Sequence, residues 1–144
     1  SRETAARMGE RATGNARAVS FNFPPIVRMS NTFMEADKAT FDDLIADIDE
    51  GIYARNWYGG MTSMEMFTFS AGEAFMIRKG KVAELLRPAV LTGNVFTTLS
   101  QMDAIGNDLL MNQGGGCGKG LQYPLPVSNG SPHIRIRKCL VGGR

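Results

Sequence analysis

The sequence predicts an α+β fold, a mainly antiparallel β-sheet domain with two or three short helices. Short runs of β-branched and aromatic residues, separated by glycine or proline, indicate many brief strands. Two segments instead space their apolar residues at helical intervals. At 144 residues the chain suits one domain, which would bury roughly 68–70% of the surface of its unfolded form.

Residues 1–19 are predicted to be a polar N-terminal segment, because they show no recurring apolar face. We interpret this segment as the cut end of a longer chain, and residues 20–144 as the β-rich domain. A strand is predicted over residues 26–34. A helix follows over residues 41–50, with Thr40 as its N-cap, Asp43 at the capping-box position and Gly51 as its stop.

The middle of the chain is predicted to form a β-meander with glycine-containing turns. Its strands are residues 51–57, 65–70, 73–78 and 81–85, with breaks at Gly59-Gly60, Ala71-Gly72 and Lys79-Gly80. A second helix is predicted over residues 95–105, from Asn94 to Gly106. Shorter strands are expected over residues 108–112, 121–127 and 132–140, the second of them limited by two prolines.

The composition argues against several classes of protein. The formal net charge of +2 is too small to argue for a nucleic-acid partner, and no apolar run approaches the roughly 20 residues of a membrane helix. The two cysteines, Cys117 and Cys139, are too few for a disulfide scaffold. A reducing cytoplasmic setting is therefore the expectation.

A glycine-rich loop over residues 114–120, in which five of seven residues are glycine, is the most unusual stretch of the chain. It is not a P-loop, because Gln113 stands where the first glycine belongs and Gly120 stands where a serine or threonine would bind magnesium. Cys117 lies in the middle of this loop. Its thiolate is sterically accessible and suits zinc or another transition metal, provided that other segments supply the remaining ligands.

Other roles for these residues stay open. Cys117 could instead be a small packing residue or a nucleophile paired with His133, the only histidine. A zinc site built from Cys117, His133 and Cys139 lacks the usual metal-motif spacing. Arg135 and Arg137 could contact phosphates, although charges on an edge strand more often prevent unwanted pairing.

Eight segments, in this order, resemble the C-terminal part of the TldD/PmbA family, often described as modulators of DNA gyrase. They are Pro25–Met34 (PIVRMSNTFM), Gly51–Ala54 (GIYA), Gly59-Gly60, Phe67–Ala74 (FTFSAGEA), Leu91–Asn94 (LTGN), Gly106–Leu109 (GNDL), Gly116–Gly120 (GCGKG) and Leu140–Gly143 (LVGG). The Arg-Met-x-Asn-Thr and Cys-Gly-Lys patterns are similar to the TldD side of the family rather than to its TldE/PmbA partner.

The resemblance implies a cytoplasmic, zinc-dependent peptidase that hydrolyses short or unfolded peptides, as a heterodimer with a TldE/PmbA-like partner or as a homodimer. In such enzymes two histidines of an HExxxH motif bind the metal, and the motif's glutamate is the general base. The cysteine of the glycine-rich loop is the third ligand, which by match is Cys117.

HExxxH is absent from residues 1–144, so we expect it before Ser1 in a longer protein and expect this chain alone to be inactive. The alternative function is a non-catalytic interaction or dimerisation module, as the gyrase-modulator description suggests. Binding of nucleic acid through Arg135 and Arg137 is a third and weaker hypothesis.

Overall fold

The computed structural model describes residues 1–143, which form three short helices and fourteen strands. The helices are α1 Arg2–Met8, α2 Phe41–Ile45 and α3 Val95–Ser100. The strands are β1 Ala16–Arg17, β2 Ile26–Val27, β3 Thr32–Phe33, β4 Glu50–Ser63, β5 Met66–Arg78, β6 Lys81–Leu86, β7 Ala89–Asn94, β8 Met102–Ile105, β9 Leu110–Asn112, β10 Gly116–Lys119, β11 Gln122–Pro126, β12 Asn129–Ser131, β13 Ile134–Ile136 and β14 Leu140–Gly143. Most strand pairs are antiparallel, which confirms the predicted α+β class. Arg144, the last residue of the predicted domain, lies outside the described residues.

The chain divides into two compact units. The first unit contains Ser1–Glu35 and Leu109–Ser131, and the second contains Ala36–Asp108 and Pro132–Arg144. The boundary expected after residue 19 stays a prediction; β1 lies before it and pairs with β2 after it. In the first unit, β10 pairs with β11, and β12 lies between β3 and β9.

The second unit is organised around a long antiparallel hairpin of β4 and β5. Along β5, residues 66–70 pair with β7 and residues 74–78 pair with β6, while β14 extends the sheet beyond β7. β8 and β13 form a separate two-stranded sheet.

The predicted breaks at Gly59-Gly60 and Ala71-Gly72 are wrong, since β4 and β5 run continuously through them. A Cβ built on Gly60 would lie 2.7 Å from the Phe69 ring, so this glycine allows a close approach across the hairpin. Gly72 is similar, with the Cβ of Asn56 only 3.2 Å from its own ideal Cβ position.

Helix α2 begins as predicted but ends five residues early, at Ile45. The Thr40 side chain accepts from the Asp43 N–H and the Asp43 carboxylate accepts from the Thr40 N–H, which confirms the capping box. The turn between β5 and β6 then binds backbone carbonyls of the residues that follow the helix. Lys79 donates its N–H to Asp49 O at 2.9 Å, and Gly80 donates to Ile48 O at 2.8 Å.

The second predicted helix is also shorter than expected. Asn94 caps α3 as predicted, but α3 ends at Ser100, and residues 102–105 form strand β8. Pairing with β13, which is distant in sequence, overrides the local helical spacing.

The core of the second unit forms where α2 packs against β5. Leu44 and Ile45 on the helix pack with Ile77 on the strand, and all three side chains are buried. Among the described residues, no helix is long and apolar enough to cross a membrane.

Replacing Leu44 by alanine is expected to lower the free energy of unfolding by about 2–5 kcal/mol, because it removes a buried side chain and leaves a cavity. Urea denaturation of the wild type and the variant measures the difference. The matched control is Leu85→Ala on β6, whose side chain is 66% exposed and should change stability by no more than about 0.5 kcal/mol. Equal losses for the two variants would contradict the proposed core.

Candidate functional site

Cys117 lies on β10, in a hairpin with β11 within the first unit. It stands opposite Leu125, and Lys119 stands opposite Gln122. The glycine-rich segment was expected to be a loop, but residues 116–119 are a strand. Gly116 and Gly118 lie against the Tyr123 ring, where a Cβ on either residue would come within 3.1–3.2 Å of it. These glycines therefore let an aromatic ring cover the strand that carries Cys117.

A buried arginine holds the two strands of this hairpin. Arg28 is only 2% exposed, and its Nη2 donates to the backbone carbonyls of Cys117 and of Gln122, the latter at 3.0 Å. The Gln122 side chain is equally buried. Its Oε1 accepts from the Val19 N–H at 3.0 Å, and its Nε2 donates to Pro24 O at 3.0 Å. These bonds attach the N-terminal segment of the first unit to the hairpin.

Lys119 attaches the hairpin a second time. Its Nζ donates to Val27 O at 2.9 Å, which bonds β10 directly to β2. The N–H of Arg28 donates to Asn15 O at 2.9 Å, which fixes the backbone from which the guanidinium extends. Cys117 therefore lies on a strand that is held by hydrogen bonds to another segment, and not in a free loop.

The surroundings of Cys117 favour its thiolate form. Hydrogen bonding from the Met29 backbone lowers the pKa of Cys117 most, followed by hydrogen bonding from the Arg28 side chain and the positive charges of Arg28 and Lys119. Burial acts in the opposite direction and is outweighed. A thiolate is the form that binds metals.

Two donors of Arg28 remain without a hydrogen bond of standard geometry. Its Nε and Nη1 are buried and have no such partner among the described residues. The guanidinium nevertheless lies near enough to the Cys117 sulfur to lower that pKa.

Cys139 and His133, considered as co-ligands of Cys117, both lie in the second unit. Burial raises the pKa of Cys139, which lines an apolar cavity of about 230 Å³ with Phe67, Phe69 and Leu91. Within residues 1–143, no cluster of three or more His, Cys, Asp or Glu side chains could hold a metal ion.

His133 is instead part of a Tyr–His–Asp arrangement. Its Nε2 lies 2.8 Å from the Tyr53 hydroxyl, and its Nδ1 contacts the Asp108 carboxylate. Asp108 also accepts the His133 backbone N–H at 2.9 Å, and these bonds lower the pKa of Asp108. Phe41 packs on both rings, with centroids 4.8 Å apart in each case. The arrangement joins β4, α2 and the segment before β13.

Arg135 and Arg137 are occupied by carboxylates. Arg135 forms ion pairs with Asp47 and Asp103, and Arg137 pairs with Asp103 at 2.8 Å. The hydrogen bond from Arg135 lowers the pKa of Asp103. This surface offers little free positive charge to a phosphate backbone.

Of the two cysteines considered from the sequence, Cys117 is the one whose surroundings lower the pKa of its thiol. Sequence reasoning assigned no role to Arg28, although Arg28 is the one charged residue of the strand predicted over residues 26–34. Buried arginine is rare unless its donors are used, so a charged residue in such a pattern predicts a specific carbonyl or anion partner.

The sequence matches the PmbA/TldA metallopeptidase C-terminal domain over residues 1–143. It is 53% identical over 143 residues to a metalloprotease of Synechocystis, covering 99% of this chain and 31% of that protein. It is 37% identical over 139 residues to a zinc metalloprotease TldD homolog of Saccharolobus solfataricus, covering 96% of this chain and 31% of the relative. The chain thus spans about a third of the length of the curated relatives that it matches.

Among solved structures, TldE from Thermococcus kodakarensis is similar, with a TM-score of 0.69 and 22% sequence identity. The match covers 96% of this chain and 29% of that one. At this identity the likeness establishes the shared fold alone.

The opposite pKa shifts of the two cysteines can be tested by alkylation. In the metal-free protein, Cys117 should react with iodoacetamide at lower pH than Cys139, because more of it is thiolate at any given pH below its ordinary pKa. Peptide-level mass spectrometry over a pH series measures both sites in one sample, so Cys139 is the internal control. A pH midpoint for Cys139 at or below that of Cys117 would show that the described surroundings do not favour the Cys117 thiolate.

Proposed function

The chain belongs to the PmbA/TldA metallopeptidase C-terminal domain family, and from that membership we propose that it supplies the Cys117 ligand of a TldD-type zinc peptidase. The observation that carries this proposal is the β10–β11 hairpin, in which the surroundings of Cys117, among them the buried Arg28, lower the pKa of its thiol. The family membership indicates a metallopeptidase, and the thiolate is a donor that zinc prefers.

In this proposal the chain supplies one of the three protein ligands that such a site needs. Catalytic zinc usually has three protein ligands and one open position. Cys117 provides one ligand, and no group of three candidate ligands exists among the described residues. We propose that two histidines of an HExxxH motif, in a part of the full-length protein outside this sequence, provide the others.

The residues of this chain hold and orient the ligand. A zinc ion bound there would polarise a peptide carbonyl and activate water. Arg28 and Lys119 fix the β10–β11 hairpin through carbonyls, and the Met29 N–H stabilises the thiolate. The general base belongs to the HExxxH segment in this proposal, so no residue of this chain is assigned to proton transfer.

We also propose the setting in which the full-length protein works. Its substrates would be short or unfolded peptides, and its location the cytoplasm. Its partner would be a TldE/PmbA-like subunit or a second copy of the same protein, which is supported by the fold shared with TldE.

In the full-length protein, Cys117→Ala should reduce bound zinc and abolish peptide hydrolysis, because it removes one of three ligands. Elemental analysis measures the zinc, and a fluorogenic peptide measures the hydrolysis. Cys139→Ala is the matched control, since Cys139 lines an apolar cavity in the other unit and should retain both properties. If Cys117→Ala binds zinc as the wild type does, Cys117 is not a ligand.

A second candidate role, as an interaction or dimerisation module, is favoured by strand β4. Within the described residues β4 pairs only with β5, and residues 56–64 carry no charge. Trp57, Tyr58 and Met61 on this stretch are 57%, 85% and 71% exposed. An uncharged strand edge rich in exposed aromatic and methionine side chains is typical of a surface that another chain covers.

A charge on this edge should weaken self-association or partner binding. We expect Met61→Lys in the full-length protein to raise the dissociation constant of its dimer at least about tenfold, as loss of a central interface residue does. Sedimentation velocity over a concentration series measures it. Leu85→Lys, also well exposed but on β6, should leave association unchanged. Equal association of Met61→Lys and the wild type would remove β4 from the interface.

A further inference from the structure

We propose that Phe21, Phe23 and Leu121 form a docking patch, which packs against the part of the full-length protein that lies outside this sequence and holds the Cys117 hairpin there. All three residues belong to the first unit. The inference rests on the proposed function, in which that outside part supplies the other zinc ligands. The packing itself can be measured without a metal ion, so the two proposals can fail separately.

The docking patch is formed by two turns of the first unit that lie side by side. The Gln122 side chain accepts from the Val19 N–H and donates to Pro24 O, both at 3.0 Å. Both ends of the turn at residues 20–23 are thus bound to one side chain. Leu121 immediately precedes Gln122, in the turn between β10 and β11. The apolar residues of the two turns therefore lie near each other.

The docking patch is exposed and uncharged. Leu121 is 100% exposed, Phe21 97% and Phe23 39%. Residues 18–27 and 120–131, which contain the two turns, carry no charged side chain. Single exposed apolar residues are common on protein surfaces, whereas neighbouring ones mark a surface that another part of a protein covers. The lack of charge fits this use, because charged residues are depleted at the centre of an interface.

The backbone of Leu121 gives independent support. Gly120 and Leu121 are the two residues between β10 and β11, with φ values of 58° and 64°. Hairpin turns of this kind favour asparagine, aspartate and glycine, because larger side chains are strained at positive φ. No packing within this chain offsets the strain, since the Leu121 side chain is wholly exposed. Strained residues cluster where a protein binds something, so the leucine indicates a contact outside this chain.

The position of the docking patch identifies what covers it. Leu121 is four residues from Cys117 on the same hairpin, which is about 13 Å along an extended chain. The segment that supplies the other two ligands in our proposal must reach this hairpin. This chain spans only 31% of the Synechocystis metalloprotease, so a full-length protein of that size has ample chain outside residues 1–144 to cover the patch.

The experiment places a photo-crosslinker in the full-length protein, as Leu121→p-benzoyl-phenylalanine. We expect residue 121 to crosslink to a peptide of the same polypeptide outside residues 1–144, identified by mass spectrometry. Mixing ¹⁵N-labelled and unlabelled protein before irradiation separates links within one polypeptide from links between two. Leu85→p-benzoyl-phenylalanine is the control, because Leu85 is 66% exposed on β6 of the other unit, and it should give several-fold fewer such links.

Other crosslinking results would overturn the inference. Links between two polypeptides would show that the docking patch contacts a second copy or a partner subunit. Links to the fluorogenic peptide, when it is added, would make the patch a substrate site. Links confined to residues 1–144, or a yield no higher than that of the Leu85 control, would show that no outside segment covers the patch.

A second variant measures what the docking does for the metal site. Leu121→Asn removes the apolar side chain but suits a positive φ, so the turn itself should be kept. In the full-length protein we expect this variant to bind Co²⁺ about five- to thirtyfold more weakly, as loss of an interface anchor does. Leu121→Met keeps an apolar side chain and should bind Co²⁺ as the wild type does. Equal Co²⁺ affinity of Leu121→Asn and the wild type would refute support of the metal site by the patch.

The outcomes separate this inference from the proposed function. If Cys117→Ala binds zinc as the wild type does, the proposed function fails, and crosslinking from residue 121 alone decides whether the docking patch is covered. If Cys117→Ala loses zinc but neither Leu121 experiment gives the expected result, only the docking patch is overturned.

Discussion

The buried guanidinium of Arg28 is the interaction on which the first unit depends. Three of the described residues of that unit are buried, namely Arg28, Gln122 and Leu125. Two of these three are polar, and their hydrogen bonds connect the N-terminal segment, β2 and the β10–β11 hairpin. Directional bonds thus perform the organising role that apolar packing has in most small domains.

The second unit is organised mainly by apolar packing instead. Its strand ladders are long, its buried core is aliphatic, and its charged side chains pair at the surface around Asp103 and Arg78. Apolar packing tolerates substitutions of similar volume, whereas a hydrogen-bond network fixes positions to a few tenths of an ångström. A metal ligand needs the second kind of support, and Cys117, the ligand in our proposal, lies in the unit that provides it.

The parts of this fold that local chemistry determines could be predicted. Thr40 and Asn94 were identified as helix caps because capping depends on residues within one turn. The ends of both helices could not be predicted, because distant partners set them: the Lys79-Gly80 turn at α2 and β13 after α3. Gly60 was misassigned to a break for the same reason, since only the facing Phe69 ring explains it.

At the candidate site, too, sequence-based prediction is limited by contacts between residues that are distant in sequence. Nothing in the spacing of residues 114–120 distinguishes a metal ligand from a packing cysteine, and family resemblance alone selected Cys117. Arg28 lies 89 residues away in sequence, and only the fold brings its guanidinium to the Cys117 carbonyl.

A glycine-rich strand is intrinsically costly to order, and a lone ligand on it would lose much of its binding energy to that ordering. The Arg28 and Lys119 bonds order the strand within this chain, without help from a metal ion. If Cys117 is the ligand that we propose, this order favours metal binding, because little of the binding free energy would then be lost in ordering the hairpin when ligands from another part of the protein meet it.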